Sequence, residues 1–217
     1  MRTHRPIRDT TALTVLELIV IIAVLAVLIG LLLSTMRRPG SGSSRSRCVN
    51  NLKCLGLAAR IFATDNEEKF PWQVSTNKGG SQEYRDLANS AFLHFLTMSN
   101  ELSAPKLLLC PEDKERIEAM HWFISNQNIS YFLGLDAKKS APQVLLSGDR
   151  NLMTNGVPVG SGLQELTTNL TLGWTSRMHN NAGNVLSGDG HVDAFSNKGL
   201  QAQLINSGIA AQRLVVR

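Results

Sequence analysis

The chain has 217 residues, a formal charge of +5, an apolar fraction of 43% and a charged fraction of 18%. That length holds one ordinary globular domain beside an apolar anchor, and that composition excludes wholesale disorder. The charge is also placed unevenly: Arg2, Arg5 and Arg8 precede an apolar run, Arg37, Arg38, Arg45 and Arg47 follow it, and the rest is nearly balanced. No basic face suited to nucleic acid is therefore expected.

The first predicted element is that apolar run, residues 13–33, broken only by Glu17 and mildly by Thr14. As a helix rising ~1.5 Å per residue it would be ~31 Å long, close to the ~30 Å hydrocarbon layer of a bilayer. It is apolar on all faces. A cleaved secretory signal has a shorter apolar region, ~7–15 residues, followed by small residues, whereas Met36, Arg37 and Arg38 follow here. The expectation is a transmembrane helix over 13–36, ending near Arg38. Arginines on both sides leave its orientation open. Glu17 lies about one turn inside. It either reaches the interface or pairs with a positive charge when subunits assemble.

Residues 39–44, Pro-Gly-Ser-Gly-Ser-Ser, break the helix and place a flexible basic linker over 37–46. A helix is predicted at 47–64, because Cys48, Leu52, Leu55, Ala59 and Phe62 recur at helical spacing. Residues 71–80 read as loop. A helix follows at 83–98, with Leu87, Ala91, His94, Phe95 and Met98 on one side. The apolar run 106–110 ends in Cys-Pro, and 113–120 reads as one or two helical turns. Strands are predicted at 129–135, 143–147, 171–177, 183–187 and 191–195, with Asp189-Gly190 as a tight hairpin turn. A short helix at 199–206 closes the series. The layout is α+β, with one domain over 47–217.

The start of the chain, a short basic leader followed by ALTVLE, resembles the processing signal of type IV prepilins and type II secretion pseudopilins. In that family a prepilin peptidase cuts before the apolar residue and methylates the new amino terminus. The resemblance places the leader at 1–12, the cut between Ala12 and Leu13, and Glu17 fifth in the mature chain, where it would attract the terminal amine of a neighbouring subunit. The family usually has Gly and Phe where this chain has Ala12 and Leu13. Further on, CVNNLKCLGLAARIFATDNEEKFP and HNNAGNVLSGDGHVDAF resemble a planctomycete and verrucomicrobial subfamily. Its C-terminal motif is a His, nine residues, then Asp-Gly, here His179, Asp189 and Gly190.

The resemblance implies a pilin-like fold: an N-terminal transmembrane helix, then helices packed on a C-terminal antiparallel sheet. It implies a single-pass protein of the bacterial inner membrane, N-terminus cytoplasmic, C-terminal domain extracytoplasmic. Its partners would be a prepilin peptidase, the lipid bilayer, and copies of itself or related pilins in a pilus, secretion piston or DNA-uptake fibre. The different-class alternative is a non-polymerising, membrane-anchored extracytoplasmic ligand-binding protein.

His179, Asp189, His191 and Asp193, with Asp149 nearby in the sheet, suggest a metal set. Calcium is the candidate ion, since some major pseudopilins hold one in a C-terminal loop, and Asp189 and Asp193 are the candidate ligands. The plainer reading is a meander, with Asp189-Gly190 and the 180–183 stretch as turns. No nucleophile elbow, zinc-protease motif, phosphate loop or dinucleotide fingerprint occurs, so no enzyme is expected. Cys48 and Cys54 are six residues apart, on different faces of a helix and too distant to bond. Cys48 sits on the apolar stripe and Cys110 ends an apolar run. The expected bridge is Cys48–Cys110 with Cys54 free, the alternative being three buried thiols.

Overall fold

The computed structural model describes residues 14–35, 41–87 and 89–217. It divides into two compact units, Met1–Pro39 and Gly40–Arg217. The leader, the Ala12–Leu13 cut, Arg37, Arg38 and the first part of the linker lie outside the described residues.

In the first unit, helix α1 spans Val15–Thr35. Its start is built by Thr14 and Glu17. The Glu17 carboxylate accepts from the Thr14 backbone N–H at 3.1 Å and from the Thr14 hydroxyl at 3.2 Å, and the Thr14 hydroxyl accepts from the Glu17 N–H at 3.3 Å. This is a reciprocal capping box, and it places a negative charge at the positive end of the helix dipole. Among the described residues no helix is long and apolar enough to cross a membrane. Between Glu17 and Ser34 the uninterrupted apolar run covers only 18–33, about 24 Å at ~1.5 Å per residue, short of a ~30 Å hydrocarbon layer. Three expectations are corrected by this finding: the transmembrane helix over 13–36 in the expected fold class, the single-pass membrane description, and the inner-membrane location.

The second unit begins with helix α2, Ser41–Asp65. The expected linker therefore does not extend over 41–46. Ser and Gly are tolerated in a first helical turn, and the Ser46 hydroxyl donates back to the Gly42 carbonyl at 2.9 Å. Cys48, Leu52, Leu55, Ala59 and Phe62 form one buried face. Beyond α2 the chain runs through short 3₁₀ turns before helix α3, Ala91–Thr97. The expected helix over 83–98 is cut to seven residues. Asn89 takes a left-handed φ of 59°, and Asn126, distant in sequence, accepts from the Phe92 N–H at 3.1 Å while donating to the Asn89 carbonyl at 2.6 Å. Residues 113–120 form turns and no helix, because the Asp113 side chain accepts the Glu115 N–H at 3.2 Å and competes with helical bonding.

His94 on α3 is fully buried, its Nδ1 2.8 Å from the Ser81 hydroxyl. Burial, helped by the Arg85 charge, pushes its pKa down from 6.5 to about 4. A depressed histidine stabilises the fold fully above its ordinary value, and that stability is lost as pH falls through the folded value. Urea melts from pH 7 down to pH 4 should therefore show a loss of roughly 3 kcal/mol from this residue. His94→Gln should flatten that acid limb. An acid limb unchanged in the variant would refute the assignment.

Nine strands follow: β1 (Tyr131–Gly134), β2 (Leu145–Asp149), β3 (Leu152–Thr154), β4 (Val157–Pro158), β5 (Gly162–Thr167), β6 (Leu172–Trp174), β7 (Ala182–Ser187), β8 (Val192–Ser196) and β9 (Ala211–Val216). Helix α4, Asn197–Asn206, precedes β9 and starts at Ser196, whose hydroxyl accepts from Gly199 N–H. Six strands form an antiparallel sheet in the order β5-β9-β1-β2-β7-β8, and β4-β3-β6 form a small second sheet. Strand alternation fills both faces of the large sheet. Tyr131, Leu133, Leu146, Leu186 and Val215 join the core under α2. Phe132, Leu145, Val185, Leu214 and Val216 join a second core with α4, Leu152 and Trp174. Gly183 is required where the Trp174 ring lies on β7, since a Cβ there would fall 2.6 Å from it.

Candidate functional site

His179 lies in the loop between β6 and β7. It begins three consecutive left-handed residues, with φ of 52°, 52° and 58° at His179, Asn180 and Asn181. Asparagine tolerates this region, but a histidine there must be held by its surroundings. Asn151 holds the loop: its side-chain amide donates to the carbonyls of Thr175 (3.0 Å), Met178 (3.1 Å) and Ala182 (3.3 Å). Arg45 of α2 donates to the His179 carbonyl at 3.3 Å.

This conformation turns the imidazole inward. His179 Nε2 lies 3.3 Å from Cys110 Sγ, 3.3 Å from Asn184 Nδ2 and 3.4 Å from Asp149 Oδ2. Its side chain is 2% exposed and that of Asp149 0%. Asp149, the last residue of β2, accepts through Oδ2 from the Asn184 N–H at 2.6 Å and the Asn184 amide at 2.8 Å. Its Oδ1 has no hydrogen-bond partner among the described residues. Burial raises the Asp149 pKa to about 7 against these donors. Burial, then the Arg45 charge, lowers that of His179. Desolvation thus opposes charge on both partners.

Cys110 is disulfide-bonded to Cys48 with Cα atoms 4.9 Å apart, and Cys54 is free and exposed. The sulfurs and the His179 nitrogen lie within 4.8 Å of one another. A cleft of about 200 Å³ is lined by Gly42, Arg45, Glu112, His179 and Asn180, while the imidazole itself stays buried.

The other half of the expected motif lies elsewhere. Asp189 and Gly190 are in the β7–β8 loop, beyond a six-residue strand, which spans about 20 Å at ~3.4 Å per residue. The turn has three residues where two were expected. Ser187 N–H bonds the His191 carbonyl at 2.9 Å across it, and Gly190 takes a φ of 87°. Asp189 accepts from the His191 N–H at 2.9 Å, and Arg60 donates to the Gly188 carbonyl at 3.3 Å. Asp189 is a turn residue, and Asp193 of β8 pairs at 3.3 Å with His191, the residue just before that strand. The proposed calcium ligands do not gather around His179. Among the described residues the one group of three metal-ligating side chains is Cys48, Cys110 and His179.

Next to this cluster lies a second one that sequence reasoning missed. Arg150 donates to both carboxylate oxygens of Asp113, Nε at 2.7 Å and Nη2 at 2.8 Å, and to Glu115 at 2.8 Å. The Arg150 and Asp113 side chains are 7% and 1% exposed. The sequence signal was the polar run Asp149-Arg150-Asn151 directly after an apolar strand.

Comparisons with protein-family models, curated proteins and solved structures returned no match. The geometry of the chain itself therefore carries the functional reading.

Proposed function

We propose that this chain is a structural subunit of a type IV pilus-like or type II secretion pseudopilus-like filament, cut by a prepilin peptidase between Ala12 and Leu13 and methylated on Leu13. One observation carries the reading. The apolar side chains of α1 are exposed on every side, from Val15 (76%) through Ile21 (46%) to Leu31 (60%). A helix apolar all round is stable only when covered, and each buried Leu, Ile or Val contributes about 1.5–3 kcal/mol. The same helix in neighbouring copies provides that cover. The resemblance of ALTVLE to the prepilin signal supports the same assignment.

In this reading Glu17 has two separable roles, a cap for its own helix and a countercharge for the amine of a neighbour. Glutamine at this position still completes a capping box but carries no charge. Glu17→Gln should therefore keep the helix and lower the filament fraction roughly a hundredfold or more, since losing one partner of a desolvated pair costs ~3–5 kcal/mol. Glu17→Ala should lose both. Sedimentation of filaments, with the amino-terminal mass of the chain, reads the result. A Glu17→Gln chain that assembles normally would sink the countercharge role. A native chain still beginning at Met1 would sink the filament reading.

A further inference from the structure

We propose that Cys48, Cys110, His179 and Asp149 form a four-ligand site for a zinc-class divalent cation once the Cys48–Cys110 disulfide is reduced. The inference stands apart from the filament reading, because it rests wholly on the second unit.

The donor set suits such an ion: two thiolates, one imidazole and one carboxylate around a tetrahedral centre. Zinc bonds of ~2.0–2.3 Å place neighbouring ligand atoms about 3.3–3.8 Å apart in a tetrahedron. Here Cys110 Sγ and His179 Nε2 are 3.3 Å apart, and His179 Nε2 and Asp149 Oδ2 are 3.4 Å apart. The three sulfur and nitrogen donors lie within 4.8 Å of one another; Asp149 touches this group through the imidazole alone, and its carboxylate must swing toward the sulfurs to complete the fourth corner.

A disulfide alone explains little of this arrangement. It needs no imidazole against its sulfur and no buried carboxylate behind that imidazole. Asp149 Oδ1 is buried with no partner among the described residues, as is Asn184 Oδ1. A buried unpaired carboxylate oxygen is costly, and a cation removes that cost. The outer contacts are also those a metal site uses. Asn184 holds Asp149 through two donors, and Arg45 holds the His179 backbone. Two thiolates, Asp149 and a dication leave one negative charge, which Arg45 offsets. The cleft lined by His179 lies next to the buried site.

The chemistry balances in two steps. A dithiol gives two electrons and two protons to the Cys48–Cys110 bond; the S–S bond breaks, two thiols form, and the dithiol becomes a disulfide. The cation then forms two sulfur–metal bonds and both thiol protons leave to water.

The test uses the full chain carrying Cys54→Ser, so that only Cys48 and Cys110 report. The reduced protein is titrated with Co2+ and then Zn2+, beside the oxidised protein. One Co2+ per chain is expected in the reduced protein, with sulfur-to-cobalt charge-transfer and tetrahedral d–d absorption that Zn2+ abolishes. The oxidised protein should show neither band. His179→Ala should weaken binding at least about tenfold. Since that variant could unfold, X-ray absorption on the zinc-loaded Cys54→Ser protein gives a second reading. Two sulfurs at ~2.3 Å and two lighter atoms at ~2.0–2.2 Å are expected. Reduced protein without the bands, or a zinc shell without sulfur, would overturn the site.

Discussion

Arg150→Ala is expected to cost about 3–5 kcal/mol of stability, the penalty for leaving one partner of a buried ion pair alone. Both oxygens of Asp113 accept from this guanidinium, with one further bond from the Glu115 N–H, and the carboxylate is 1% exposed. Without Arg150, Asp113 must stay charged in a dry site or take up a proton. Burial works against the Arg150 charge, and the hydrogen bonds to Asp113 and then Glu115 outweigh it. Domains of this kind are stable by only ~5–15 kcal/mol, so the loss removes a large fraction of the total. Removing the pair together, as Asp113→Leu with Arg150→Met, should recover much of it, because no orphaned charge remains. A double-mutant cycle by urea denaturation reads both results. A single-variant loss under about 1 kcal/mol would mean that the pair is solvated and behaves like a surface bridge.

The second large effect belongs to the disulfide. Cys48 and Cys110 are 62 residues apart. Closing a loop of that length restricts the unfolded chain by about 4 kcal/mol in the chain-entropy model. Cys48→Ala with Cys110→Ala should lower stability by about that amount, with a further loss from the cavity left in the core. Cys54→Ser, at an exposed position, should stay within about 0.5 kcal/mol of the native chain. Denaturant midpoints with and without a dithiol provide the same comparison without mutation. A midpoint unmoved by reduction would show that the bridge contributes nothing to folding.

Much of the second unit was legible where one physical signal dominated. The period of Cys48, Leu52, Leu55, Ala59 and Phe62 is helical, and α2 buries that face. The strands β1, β2, β7 and β8 came from apolar runs set off by turn residues. Other elements carry local signals of their own. Thr14-Val15-Leu16-Glu17 is a capping-box pattern. Asn155-Gly156, with φ of 49° and 81°, joins β3 to β4 in a tight hairpin that its dipeptide announces. Strands β5 and β9 are harder. Glu165, Gln164 and Arg213 make them look like surface, and β5 is a strand through its pairing with β9, which in turn is held by β1 on its other side. Helix α3 was overextended because the residue that fixes its start, Asn126, comes later in the chain.

The site was legible only in part. His179 could be singled out by its spacing to Asp189-Gly190, but the spacing has a different physical meaning from chelation. Nine intervening residues are the length of one strand with its approach and its turn, so the motif records a hairpin. Asp149, Asn151, Asn184 and Arg150 matter through what they touch across the sheet, and no local pattern encodes that. The apolar run at α1 misleads in the opposite way, because Glu17 leaves only 18–33 uninterrupted.

The place of β9 in the large sheet bears on how the chain reaches its native state. Leu133 pairs with Val215, some 80 residues away, and β9 also holds β5. Until β9 arrives, β5 and β1 each present an open row of amides and carbonyls. Closure across so long a loop is entropically slow, which puts assembly of this sheet late and gives folding a high contact order. During that interval the two open edges are competing docking points for strands of other chains. Crowded synthesis therefore favours mispairing at these edges over damage to the helices, and a helper that shields them would raise the yield of folded chain without touching its final stability.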